Sequence, residues 1–112
     1  MFKWQKGRQD GGYEKITFVQ SGFRFAKMLG FDLHLLRYQS GSFIPEHVDE
    51  VKEGNHHRFN LILKKPKSGG IFKCEKSFKF WRFVYFRPDL HKHSVSECVG
   101  SRYVLSFGVV LK

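Results

Sequence analysis

Turn-forming residues cut this chain into short runs, and no run has the length or the 3.6-residue apolar period of a long helix. Gln39-Ser-Gly-Ser42, Lys52-Glu-Gly-Asn55, Pro66-Lys-Ser-Gly-Gly70, Pro88-Asp89 and Gly100 break up the sequence, and clusters of Gly, Pro, Asn and Ser between apolar runs mark turns. The runs between them alternate, as a pleated strand requires. In 12–19, Tyr13, Lys15, Thr17 and Val19 fall on one side and Glu14, Ile16 and Phe18 on the other. Residues 31–38 and 57–64 read as two further long strands. Residues 43–49 are extended, with Pro45 keeping them from a central ladder position. Residues 71–75 form a short return. Residues 80–87 are almost wholly aromatic and aliphatic, which predicts a strand buried on both sides. Residues 1–11 form a loose lead-in, and 20–30 a connection with one helical turn near Phe25–Leu29. Thirteen Phe favour strands, where aromatic rings pack on the pleat. Seven or eight short strands without a long helix predict an all-β sandwich or barrel. Eight strands in two facing sheets make a jelly roll, whose mouth can take a metal and a small ligand.

At 112 residues the chain is one domain, 1–112. Its 41% hydrophobic content excludes a disordered chain. Twenty Lys and Arg against ten Asp and Glu give a formal charge of +10, which attracts phosphates, acidic proteins or anionic small molecules. The lysines are spread along the chain and mark out no single groove. Cys74 and Cys98 belong to no Cys-x-x-Cys pair, which argues against a cysteine zinc site. No apolar signal core or membrane-length run is present. The expectation is a cytoplasmic protein with no membrane segment and two free thiols.

His47-Val48-Asp49 places an imidazole and a carboxylate two residues apart in an extended segment, and hence on one face. A second histidine from a distant strand would complete the 2-His-1-carboxylate set of non-heme iron sites, with its opposite face open. Residues 93–108 supply candidates. Alternating segments on either side of Gly100 predict a β-hairpin in which His93 faces Ser106, Val95 faces Val104 and Glu97 faces Arg102. His91 shares the parity of His93. It would lie roughly 20 Å from Arg102, against roughly 13 Å for His93, at about 3.3 Å per residue. His93 is therefore the predicted third ligand, and His91 a solvated or supporting histidine.

These residues resemble, in order, the Fe(II)/2-oxoglutarate-dependent dioxygenases, in particular the prolyl-hydroxylase-like branch. Arg37-Tyr38, Gly41, Pro45 and His47-Val-Asp49 are similar to that branch's tyrosine strand, turn and first ligands. Arg58-Phe-Asn-Leu-Ile-Leu63 followed by Gly69-Gly70-Ile-Phe72 is similar to its next strand and paired-glycine turn. Phe86-Arg-Pro-Asp89, His93-Ser-Val95 and Gly100-Ser-Arg102 are similar to its distal histidine and cosubstrate arginine. The lead-in Trp4–Gln9 and Gly12–Lys15 resembles small bacterial and phage members, so the likeness spans essentially the whole chain.

The resemblance implies a double-stranded β-helix with Fe(II) on His47, Asp49 and His93. It implies that 2-oxoglutarate chelates the metal and meets Arg102 with its far carboxylate, where the planar guanidinium suits bidentate pairing. Tyr38 is the implied hydroxyl partner of that carboxylate. Asn60, mid-strand between apolar residues, needs a partner for its amide and is a further cosubstrate contact. The implied activity is an oxidoreductase, a dioxygenase that converts 2-oxoglutarate to succinate and CO₂ while hydroxylating a substrate. The basic surface tilts that substrate toward something anionic or polymeric. A second reading is a basic β-barrel that binds single-stranded nucleic acid without catalysis, Phe and Trp stacking on bases. It explains charge and aromatics but not His47, Asp49, His93 and Arg102 in order, and Phe80, Trp81 and Phe83 fall in a run that reads as core. A third, a cupin-like metal protein without 2-oxoglutarate, has no need of Arg102.

Overall fold

The structure is a computed structural model in which residues 4–6, 12–21, 28–49, 51 and 54–111 are described. Among them there is no helix. The strands, in chain order, are β1 (Gln5–Lys6), β2 (Glu14–Ser21), β3 (Met28–Tyr38), β4 (Ile44–His47), β5 (Asn55–Lys64), β6 (Ser68–Gly69), β7 (Phe72–Cys74), β8 (Ser77–Phe80), β9 (Phe83–Phe86), β10 (His93–Val95), β11 (Cys98–Val99) and β12 (Arg102–Leu111). A seven-stranded sheet runs β1-β2-β3-β12-β5-β9-β8, a three-stranded sheet β4-β10-β7, and a two-stranded sheet β11-β6. Every pairing is antiparallel.

Alternation decides which side chains enter the core. Tyr13, just before β2, and Tyr38, Val84, Phe86 and Val104 from the large sheet meet Phe72, Val95 and Cys98 from the small ones. Val104 is fully buried, which stabilises the fold by roughly 1.5–3 kcal/mol. β4 is an edge strand of its sheet, so Pro45 leaves no central hydrogen bond unmade.

Four expectations change. The final stretch is not a hairpin. β10 pairs with β4 and β7, whereas β12 pairs with β3 and β5, so His93 does not face Ser106, nor Glu97 Arg102. The long mates of β12 offer it ladders of ten and nine residues, which a three-residue β10 cannot. The run 80–87 is also not one buried strand. It turns at Trp81, whose φ is 53°, and Phe80 and Trp81 are 69% and 82% exposed. The lead-in contributes a short strand, since Gln5 and Lys6 pair with Lys15 and Glu14. Finally, β2 and β3 extend into the expected connection. The helical turn near 25–29 lies largely outside the described residues, and its last two positions belong to β3.

Candidate metal centre

β4 and β10 are neighbours, and His47 is the direct cross-strand partner of His93. Their rings lie 4.3 Å apart between centroids. Asp49 follows β4 and is fixed by its backbone N–H, which donates to the Pro88 carbonyl at 2.8 Å. Its carboxylate lies 3.4 Å from His47 Nε2 and 3.4 Å from His93 Nε2. One ligand atom from each residue falls within 4.8 Å of the others, so the three could hold a metal ion.

The hydrogen bonds set the tautomers. His47 Nδ1 lies 2.7 Å from the Pro45 carbonyl oxygen, and His93 Nδ1 lies 3.0 Å from that of His91. A carbonyl only accepts, so each Nδ1 donates and each neutral ring presents its Nε2 lone pair inward. Two imidazole lone pairs and a carboxylate then converge, an arrangement that a cation resolves. The donor set fits a divalent transition metal. Phe86 and Phe72 hold His93 in place, with centroids 5.1 and 6.4 Å from its ring. His91 supplies its carbonyl, while its side chain does not line the cavity.

The triad opens on a cavity of about 320 Å³ between the sheets, which also takes in Tyr38, Asn60 and Arg102. Arg102 is 3% exposed. Its guanidinium lies 4.5 Å over the Tyr38 ring, and the two residues are cross-strand partners. No carboxylate among the described residues pairs with Arg102, and a buried charge without a counter-ion is costly. Burial pushes the Tyr38 phenol up to about 12, against the opposing charge of Arg102, so its proton stays in place to be donated. Tyr13 stacks on Tyr38 at 5.2 Å. Asn60 Oδ1 is a buried acceptor that meets no donor among the described residues. The residues named from the sequence therefore share one cavity, although the hairpin argument that joined His93 to Arg102 was wrong. They reach it from opposite sheets.

A second polar group on the same wall did not emerge from the sequence. Arg58 donates to both oxygens of Asp32, at 2.9 and 3.0 Å, and to Ser106 Oγ at 2.6 Å. It also lies 3.2 Å from His56 Nε2. His34 bridges Asp32, at 3.2 Å, and Thr17, at 2.9 Å. Burial alone would raise the Asp32 pKa, but His34 and Arg58 together hold it below the ordinary value. Burial and the charge of Arg58 push His56 down to about 4. Parity could have found this group. Asp32 and His34 share the face of Tyr38 on β3, Arg58 and His56 that of Asn60 on β5, and Ser106 that of Arg102 on β12.

No protein-family profile and no curated protein matches this sequence. Among solved structures, a prolyl-4-hydroxylase from Pseudomonas putida superposes with a TM-score of 0.72 at 14% identity, over 98% of this chain and 78% of that one. The Rhodobacter sphaeroides SigE complex with the anti-sigma ChrR matches with a TM-score of 0.57 at 17% identity, over 94% of this chain and 48% of the other. At these identities the likeness is one of fold. The chain thus has an all-β antiparallel architecture like that of a prolyl-4-hydroxylase, with a His/Asp/His set able to hold a metal.

Proposed function

We propose that this chain is an Fe(II)- and 2-oxoglutarate-dependent dioxygenase with a double-stranded β-helix fold, a compact relative of the prolyl hydroxylases. One observation carries the reading. A single cavity holds two imidazoles and a carboxylate on one wall, and on the other a buried arginine that no carboxylate of the described residues neutralises. His47, Asp49 and His93 would hold the iron. Arg102 would receive the far carboxylate of 2-oxoglutarate, with the Tyr38 hydroxyl donating to it and the Asn60 amide contacting the cosubstrate. When bound, iron supplies the dioxygen chemistry that couples conversion of 2-oxoglutarate to succinate and CO₂ with insertion of one oxygen atom into a substrate C–H bond.

The chain's own residues bind and orient. The Pro45 and His91 carbonyls accept from both Nδ1 atoms, so the Nε2 lone pairs would face the metal. Ile44, Phe72, Phe86 and Val95 supply an apolar lining that limits water. Asp32, His34, Arg58 and Ser106 form a fixed polar wall along the rest of the cavity, suited to orienting a substrate. The +10 charge favours an anionic or polymeric substrate, nucleic acid included.

The test is turnover. Iron-loaded protein given 2-oxoglutarate and oxygen should release succinate slowly even without substrate, and Asp49→Ala should not. Succinate formation at the rate of free Fe(II), unchanged by Asp49→Ala, would refute the proposal.

A further inference from the structure

The large sheet has a second face, turned away from the cavity, and it is apolar across nearly its whole width. One cross-strand row reads Leu33, Phe107, Phe59, Tyr85 and Phe78, and the next Ile16, Leu35, Leu105, Leu61, Phe83 and Phe80. Phe59 sits at the centre, its ring 5.0 Å from Tyr85, 6.0 Å from Phe83 and 6.2 Å from Phe107. Phe107, Phe78 and Phe80 are 39%, 62% and 69% exposed.

Neither row contains a charge. Polar groups begin on either side of them. His57, bonded to the Tyr85 hydroxyl at 2.6 Å, follows on one side, in a row that also holds Val109 and Phe31. The Glu14–Arg37 pair, at 2.8 Å, and Lys64 follow on the other. An apolar centre within a polar rim is the anatomy of a protein interface.

We infer that this face is where two copies of the chain pack, sheet against sheet. Six strands at about 4.8 Å spacing and four rows at about 6.8 Å, the two apolar ones and a rim row on either side, give a footprint of roughly 24 by 20 Å. Two copies would bury on the order of 1,000 Å² in projection, and more with side-chain relief, which reaches the threshold for a specific interface. In a two-fold contact the same patch faces its own copy, and facing sheets pack about 10 Å apart with side chains interleaved.

Nucleic acid fits less well, because Lys64 and the Glu14-paired Arg37 are confined to one rim and the cations nearest Phe78 and Phe80 are turned away from the face. Lys79 Nζ donates to the Phe72 carbonyl at 3.2 Å, and Arg82 donates to that of Leu63 at 2.9 Å. The two ligands also differ in salt response. Two chains of charge +10 repel, so salt strengthens the dimer, whereas salt weakens binding to phosphates. The cavity lies on the other side of the sheet, so this inference stands or falls independently of the proposed activity.

Sedimentation velocity across a concentration series tests it, in low and high salt. The wild-type chain should sediment as a dimer of 13.2 kDa subunits, more completely at high salt. Phe78→Glu and Phe107→Glu should each give monomers that keep the wild-type circular dichroism. Ile71→Glu and Leu90→Glu, at exposed apolar residues off this sheet, should stay dimeric. A wild-type monomer at every concentration and salt would overturn the inference. So would a dimer that survives both Phe substitutions, or a monomer that binds single-stranded oligonucleotide through Phe78.

Discussion

Arg102 is the residue at which packing and chemistry make different demands. Packing has no use for a guanidinium at 3% exposure that no carboxylate of the described residues pairs, whereas a dicarboxylate ligand does. Arg102→Met should therefore leave the melting temperature of the ligand-free protein unchanged or raised, because a buried charge is replaced by an apolar chain of similar volume. The same change should weaken 2-oxoglutarate binding by roughly 30-fold or more, since removing one partner of a buried charge pair costs about 2–5 kcal/mol. Thermal melting and calorimetric titration separate the two effects. The histidines divide just as sharply. His93→Ala should abolish metal binding measured by equilibrium dialysis. His91→Ala should retain it, because the backbone carbonyl of that residue, not its ring, orients His93.

At the scale of elements, two glycines let strands approach the site. Gly70 has φ +60°, and a Cβ there would meet Cys98 Sγ at 2.8 Å and Arg102 Cδ at 3.2 Å. A Cβ on Gly108 would collide with the Arg58 guanidinium, which lies across β12. Gly70→Ala should lower 2-oxoglutarate affinity through Arg102. Gly108→Ala should displace Arg58 and leave that affinity nearly intact, and the same titration distinguishes them. The elements also show what the sequence could and could not disclose. Alternation and turn residues gave the class and most strands, because the side-chain period is local. Pairing is not local. β12 returns to β3 and β5 across most of the chain, so reading neighbours in sequence as neighbours in the sheet produced a hairpin that does not exist. His47, Asp49 and His93 were legible because two residues lie on one short strand and its exit and the ordered motifs supplied the third. Asp32, His34 and Arg58 carry no local motif, and only the parity they share with Tyr38 and Asn60 brings them to the cavity. The exposure of Phe80 and Trp81 was missed because an aromatic run gives no sign of the turn within it.

For the whole molecule, charge and burial set the response to acid. The unfolded chain protonates His56 as pH falls through its ordinary 6.5, while the folded protein holds it neutral down to about 4. The unfolded state thus binds more protons in that window, and stability is lost as pH falls through it and is complete above it. Asp32 and Asp89, both held below 3.8, add their loss only under more acid conditions. The melting temperature should fall between about pH 6.5 and 4, and His56→Gln should flatten that slope. In the proposed reaction the two walls of one cavity act together. Anaerobic addition of Fe(II) and then 2-oxoglutarate tests it most directly, by the weak visible metal-to-ligand absorption of a chelated cosubstrate. A saturable band should appear with the wild-type chain, none with Asp49→Ala, and a band with Arg102→Met only at much higher 2-oxoglutarate. No band with metal-loaded wild-type protein, or the same band in all three, would contradict it.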